Sequence, residues 1–207
     1  MIKAVVYDCD GVIVDSKESI LAYYNRMMDR CGLPPIDWTE DEIRQKAFSM
    51  ADKDILEVLS AGDKNLYNKM LEISRNDDVT ASFDKIVLEE GIIEGLEAVK
   101  QIGIPMAVFT NRGRSLPLLL EHFGIKDYFS ILVTSADVSL PKPSAEGLLK
   151  ICSYFNTAPK EILFIGDSPT DYQAALSCGA KFAAFKNTLW DAPVIYNHKE
   201  IIDIICE

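Results

Sequence analysis

Ala4 to Tyr7, Met106 to Phe109, Ile131 to Val133 and Ile162 to Ile165 are short apolar runs of β-branched and aromatic residues, and each stops abruptly at polar residues. Continuous apolar runs of this length suit strands buried on both faces, as in a parallel sheet covered by helices. Phe182 to Phe185 is a fifth, weaker run. Between the runs lie helix-like stretches: Ile92 to Ile102 ending at Gly103, Leu116 to Phe123 ending at Gly124, and Gly147 to Phe155. The tail, Val194 to Ile205, reads as a short strand and a final helix. Strands alternating with helices imply an α/β fold with a doubly wound parallel sheet.

One interval breaks the alternation. Between the first strand and the helix near Ile92 lie roughly 80 residues with helical signals only, too many for a bare loop inside a compact domain. They include an apolar stripe at Ile20, Tyr24, Met27 and Cys31 before Gly32, a capping-box pattern Thr39-x-x-Glu42, and a possible helix start at Ser49-x-x-Asp52. The expectation is a core domain from 1–15 and 89–207 with a helical cap subdomain inserted at 16–88. A cap leaving the sheet directly after the first strand sits over the carboxyl end of that strand, the edge at which open α/β sheets bind ligands.

Composition narrows the function. The 207 residues, 48% of them hydrophobic, supply one good-sized core with a smaller companion. A formal net charge of -11, with no Lys/Arg cluster, argues against nucleic acid as a partner. An anionic small substrate would need a local cation, a metal or a placed lysine, to outweigh the overall field. The five cysteines, Cys9, Cys31, Cys152, Cys178 and Cys206, are scattered without a Cys-x-x-Cys pair, so neither a disulfide framework nor a zinc site is signalled. With no membrane-length apolar segment and no signal-peptide pattern, the expected setting is the cytoplasm, without a membrane partner, as a monomer or weak homodimer.

The chemistry lies at the strand ends. Asp8 and Asp10 follow the first run, in Tyr7-Asp8-Cys9-Asp10-Gly11. Residues two apart on extended chain point the same way, so both carboxylates can face one site; an ordinary Asp-Gly turn is the plain alternative. Two close carboxylates resist ionising together unless a cation joins them, which favours a hard metal such as Mg²⁺. Thr110 and Asn111 follow the second core run and can donate to phosphate oxygens or cap a helix. Lys142 sits between Pro141 and Pro143, which restrict its backbone, although a solvated surface lysine would look the same. Gly166-Asp167-Ser168-Pro169-Thr170-Asp171 follows the most apolar run, with Asp167 at the strand end and Asp171 one helical turn on. Together these supply a nucleophile, a proton shuttle, metal ligands, a fixed cation and a hydroxyl, the requirements of phosphoryl transfer through an enzyme aspartate.

At these residues the chain resembles the haloacid dehalogenase superfamily. It matches all four motifs in order: Asp8-Cys9-Asp10-Gly11-Val12-Ile13-Val14-Asp15-Ser16, Thr110-Asn111, Lys142-Pro143, and Gly166-Asp167-Ser168-Pro169-Thr170-Asp171. The helical insertion is similar to the small cap of the phosphoglycolate phosphatase and β-phosphoglucomutase branch. The resemblance implies that Asp8 attacks phosphorus and that Asp10 protonates the leaving oxygen and then activates water. It implies that Thr110, Asn111 and Lys142 hold the phosphoryl group. Mg²⁺ would be bound by Asp8, Asp10 through its carbonyl, and Asp167, with Asp171 behind them. An aspartate at position 10 points to phosphate esters of a small phosphorylated metabolite.

A phosphomutase shares every one of these core residues, and excluding water from the aspartyl-phosphate is what separates it from a phosphatase. A phospho-receiver module or a non-catalytic scaffold is the remaining alternative; a receiver is shorter and lacks a cap, and a scaffold usually shows a damaged motif. Ala145 stands where the third motif often has a second proline. The region from Trp38 to Leu59 matches no substrate-specific loop, so the substrate is left open. Within it, Arg44 and Lys46 are closely spaced cations that could contact the distal part of a substrate or form a solvated helix face.

Overall fold

The computed structural model describes residues 1–206. In chain order the elements are β1 (Ala4–Tyr7), β2 (Val14–Asp15), α1 (Lys17–Cys31), α2 (Asp41–Ser49), α3 (Asp52–Ser60), α4 (Lys64–Asn76), β3 (Val87–Leu88), α5 (Ile92–Gln101), β4 (Met106–Phe109), α6 (Leu116–His122), β5 (Phe129–Val133), α7 (Glu146–Phe155), β6 (Ile162–Gly166), α8 (Pro169–Cys178), β7 (Lys181–Phe185), β8 (Val194–Ile195) and α9 (Ile201–Cys206). All five apolar runs are strands. β5 begins two residues earlier than its run, at Phe129, because the ladder with β4 is irregular between Met106 and Ala107.

Six strands form one sheet in the order β5-β4-β1-β6-β7-β8, and every neighbouring pair is parallel. β1 therefore lies inside the sheet, between β4 and β6, and its four residues are all buried. Alternate residues serve opposite faces, the two-residue period of a strand. Val5 and Tyr7 join a core cluster with Leu96 and Val99 of α5, Leu119 and Leu120 of α6, and Ile201 of α9. Ala4 and Val6 join a second cluster with Leu148 and Ile151 of α7 and with Ala174 and Ala175 of α8. Helices on both faces explain why the runs are apolar throughout rather than alternating.

The long insertion has its own core, in which Tyr24 and Met27 of α1 meet Ala47, Ile55, Leu56 and Met70. Its first helix ends as the sequence suggests, at Gly32, where φ is +77°. Three details differ. The interval is not purely helical, because Val14 pairs with Leu88 and Asp15 with Val87 in a two-stranded antiparallel ribbon at its base. Thr39 does not cap α2: its hydroxyl donates to Asp37 Oδ1 at 2.6 Å, a local turn that captures it, and Glu40 holds the cap position. Ser49 is the last residue of α2, with Oγ donating to the Gln45 carbonyl at 2.8 Å, and α3 follows Ala51. With the ribbon as its neck, we propose the division into 16–88 and the remainder.

Under the sheet, His198 is fully buried, stacked on Phe185 with ring centroids 4.4 Å apart. Gly95 of α5 makes this approach possible, since a Cβ there would lie 2.4 Å from His198 Cβ. Burial pushes the imidazole down to about 4. The folded state thus resists a proton that the unfolded chain accepts near its ordinary value of about 6.5. This contribution to stability is intact above the unfolded value and is lost as pH falls from there toward the folded value, by at most about 1.4 kcal/mol per pH unit. Urea unfolding at neutral pH and at pH ~5 reads the loss, and His198→Leu is expected to flatten the difference relative to wild type.

Candidate active site

Parallel strands end at one edge, and that edge carries the chemistry. Asp8 extends the β1 ladder by donating its N–H to the Ile165 carbonyl at 2.9 Å. Its carboxylate Oδ1 accepts from the Cys9 N–H at 2.6 Å and lies 2.8 Å from Lys142 Nζ. The chain then turns, with Gly11 N donating to the Val14 carbonyl at 2.8 Å. Gly11 has φ +84°, and a Cβ there would come within 2.1 Å of Asp167 Oδ2, so both conformation and space call for glycine. Asp8 and Asp10 line one cavity but keep different partners. The turn, not the two-residue strand period, sets this: Asp10 accepts hydrogen bonds from Arg112 Nε at 3.0 Å, from Arg112 Nη2 and from the Ser16 hydroxyl.

Lys142 is buried between two acids, with Nζ 2.5 Å from Asp171 Oδ1 and 2.8 Å from Asp8 Oδ1. It also lies over the rings of Phe109 and Phe164, at 5.6 and 5.8 Å. Burial alone would lower its pKa, but Asp171 and Asp8 outweigh burial and raise it, so it stays charged. Its backbone is clamped by Asn111, whose Oδ1 accepts from Lys142 N at 2.9 Å and whose Nδ2 donates to the Lys142 carbonyl at 3.1 Å. Asp171 Oδ2 accepts from the N–H and the hydroxyl of Ser168, at 3.0 and 2.6 Å, in a capping box that starts α8.

Electrostatics here is dominated by carboxylates short of cations. Asp8 is pushed up to about 7 by burial and then by Asp171, with Lys142 pulling the other way. Asp167 is pushed well above the usual range by burial, then by Asp171 and Asp8. Asp10 is the opposite case, since the Arg112 charge and hydrogen bonds overcome burial and hold it low. Oxygens of Asp8, Asp167 and Asp171 all lie within 4.8 Å of one another. Among the described residues nothing donates to the Asp167 carboxylate. Three converging carboxylates with one compensating lysine, one of them without a donor, fit a hard divalent cation.

The structure brings Asp8, Asp10, Thr110, Asn111 and Lys142 to the wall of one cavity of about 180 Å³ between the helical insertion and the sheet, with Asp167 and Asp171 clustered at Asp8. Thr110 Oγ1 accepts from Arg112 N at 3.1 Å, which leaves its hydrogen free to donate. The Asn111 side chain spends both its amide hydrogens, on the Lys142 carbonyl and, at 2.9 Å, on the Ser49 carbonyl at the end of α2, so it ties cap to core and leaves the backbone N–H of Asn111 as the donor it could offer a phosphate. Arg44 and Lys46 are not on the cavity wall. They pair with Asp41 and Glu42 along α2.

Sequence reasoning missed Arg112, Arg114 and the cap face. Arg112 was findable, as the first cation after Thr110-Asn111 at a strand end. Arg114, which donates to the Ser74 and Asp77 carbonyls at the end of α4 at 3.0 and 2.8 Å, and the cluster of Tyr23, Tyr24, Asp52 and Ser74 carry no linear signal.

Comparison with known proteins bears on the same edge. The profile of the haloacid dehalogenase-like hydrolases matches residues 5–185. A phosphoglycolate phosphatase of Chromobacterium violaceum is 30% identical over 86% of this chain and 82% of its own. An N-acetylmuramic acid 6-phosphate phosphatase of Pseudomonas aeruginosa is 27% identical over 99% of this chain and 95% of its own. Among solved structures, a subfamily IA hydrolase of the same superfamily from Geobacter sulfurreducens is 35% identical, covers 99% of this chain and 96% of its own, and superposes with a TM-score of 0.77.

Since Arg44 and Lys46 spend their charge on exposed neighbours of their own helix, changing both to alanine is expected to alter KM for phosphate esters by less than about twofold in steady-state assays. A large rise in KM would return them to the binding surface.

Proposed function

The chain belongs to the haloacid dehalogenase-like hydrolases, and from that premise we propose that it is a phosphatase that hydrolyses a small-molecule phosphate monoester through an aspartyl-phosphate on Asp8, with Mg²⁺ as cofactor. The carrying observation is the state of the Asp8 carboxylate. Oδ1 is held by the Cys9 amide and Lys142, while Oδ2 has no donor among the described residues, and since Asp8 lines the cavity this leaves Oδ2 as the oxygen to attack. The phosphatase names of the relatives support the reaction class.

In this reading Thr110 and Lys142 hold the non-bridging oxygens of the phosphoryl group as Asp8 Oδ2 attacks. The P–O bond to the leaving group breaks, and Asp10 gives that oxygen its proton. Water then attacks the aspartyl-phosphate, Asp10 takes the proton, and inorganic phosphate leaves. Arg112 and Ser16 favour the ionised form of Asp10, so the proton it gives in the first step is one it takes up from solvent as the ester binds, and the form in which that step leaves it is the one the second step needs. Asp8, the Asp10 carbonyl and Asp167 would hold Mg²⁺, with Asp171 supporting them. When bound, the ion neutralises the carboxylates and draws charge from the phosphoryl oxygens. No helix of the described residues is long and apolar enough to cross a membrane, in keeping with a proposed cytoplasmic setting.

Hydrolysis of an aryl phosphate is expected to require Mg²⁺ and to collapse on chelation, with free phosphate rather than an isomerised ester as the product from sugar phosphates. Undiminished turnover after exhaustive metal removal would sink the mechanism.

Asp8→Asn is expected to fall to background with every ester, because no aspartyl-phosphate can form. Asp10→Asn, lacking the proton carrier, should lose on the order of 10²–10⁴-fold in turnover. It should accumulate phosphoenzyme, as read by rapid-quench labelling or intact mass. Label mapping to another residue refutes the assignment.

A further inference from the structure

The cap face of the cavity has a chemical bias of its own. Asp52, in the first turn of α3, accepts from Ser74 Oγ at 2.6 Å and from the phenols of Tyr23 and Tyr24 at 3.2 and 3.3 Å. It has no ion-pair partner among the described residues, yet lines the same cavity as Asp8. A carboxylate only accepts hydrogen bonds, and each of these hydroxyls has a single hydrogen. Tyr23 Oη also lies 3.1 Å from Ser74 Oγ, so its hydrogen is spent within the group whichever oxygen receives it. What the cluster can still offer a ligand is lone pairs and a negative charge.

The cations on the cavity wall are mostly committed to carboxylates. Among the described residues they are Arg26, Arg112, Arg114 and Lys142. Arg26 donates to Ser82 Oγ at 2.5 Å and lies 3.6 Å from Asp77 Oδ2. Arg112 is paired with Asp10 and Lys142 with Asp8 and Asp171, while Arg114, exposed and without a carboxylate partner among the described residues, holds the carbonyls of Ser74 and Asp77 through Nη2. A second negative group that reaches the hydroxyls around Asp52 would meet a like charge there, with Arg114 the one wall cation among the described residues not paired to a carboxylate. A carboxylate there would bring no hydrogen of its own and leave acceptors facing each other, with Tyr24 buried and Tyr23, Asp52 and Ser74 half-buried, a mismatch by which a polar site rejects an analogue.

We propose that the unit of Asp52, Tyr23, Tyr24 and Ser74 selects phosphate esters whose leaving group presents hydrogen-bond donors, hydroxyl or ammonium, and discriminates against leaving groups that carry a carboxylate. The inference rests on the phosphate-ester reading above and narrows it. Asp52 is a specificity residue on the cap, while the cations at the sheet edge serve the phosphoryl group.

The test uses four esters with Mg²⁺: glycerol phosphate, phosphoethanolamine, phosphoglycolate and nitrophenyl phosphate. The expected kcat/KM for glycerol phosphate or phosphoethanolamine exceeds that for phosphoglycolate by about tenfold or more. Which of the two leads identifies hydroxyl or ammonium as the favoured donor. Asp52→Asn, which puts donors where only acceptors stood, should shrink the ratio of glycerol phosphate to phosphoglycolate by about tenfold. Tyr23→Phe keeps the ring and removes one acceptor, and should shrink it less, so a poorly folded Asp52 variant does not end the test. A preference for phosphoglycolate, or a ratio untouched by both variants, overturns the proposal while leaving phosphatase activity on nitrophenyl phosphate intact. If no ester is hydrolysed, the phosphatase reading itself falls. Selectivity is then read as Kd by calorimetry for glycerol phosphate and phosphoglycolate, where equal affinities overturn it.

Discussion

A single buried ammonium organises this molecule's functional edge. Lys142 reaches from the segment after β5 to sit between Asp8, at the end of β1, and Asp171, in the first turn of α8. Taking a lysine and two carboxylates out of water is costly, and the arrangement holds only because each charge finds its partner at hydrogen-bond distance. Removing one partner strands the others, so backbone and side chains around the lysine are arranged to keep it. Asn111 clamps its main chain on both sides, and its ammonium lies over the rings of Phe109 and Phe164. With one ammonium serving two acids and Asp167 close by, the group remains short of positive charge, which suits it to a divalent ion and an anionic phosphoryl group.

The segment after β4 links that charge balance to the cap. From Thr110 to Arg114 it supplies a hydroxyl to the cavity, an amide that joins Lys142 to the Ser49 carbonyl, a guanidinium on Asp10, and a second guanidinium on the end of α4. Within five residues this segment thus touches both the Asp10 and Lys142 side of the cavity and the helical insertion above it. Movement of the cap relative to the sheet must disturb hydrogen bonds that also position Lys142 and Asp10, which gives the two a shared mechanical connection.

Much of the sheet edge is legible in the linear sequence because strands buried on both faces admit almost no polar residues. An acid, hydroxyl or lysine at the end of such a run therefore stands out, as Asp8, Thr110 and Asp167 do. Parallel connection then places those ends together without further information. The cap is harder. Its helices are short and amphipathic, and their boundaries turn on local competition: Thr39 is captured by Asp37, and Ser49 becomes a helix end rather than a helix start. The ribbon of β2 and β3 has only two residues on each side, too short for a period to register.

The sequence by itself determined the α/β alternation, the insertion after β1 and the acids, hydroxyl and lysine at the strand ends. Those follow from hydrophobic period and from the position of polar residues against apolar runs. Tertiary structure alone decided what each group does with its neighbours. Arg112 meets Asp10 across 102 positions of chain, and Asn111 meets Ser49 across 62. The Asn111 amide goes to the cap, and Asp52 faces the cavity while Arg44 and Lys46 stay on their own helix. Such pairings depend on how two separately packed cores lie against each other, and no local pattern encodes that.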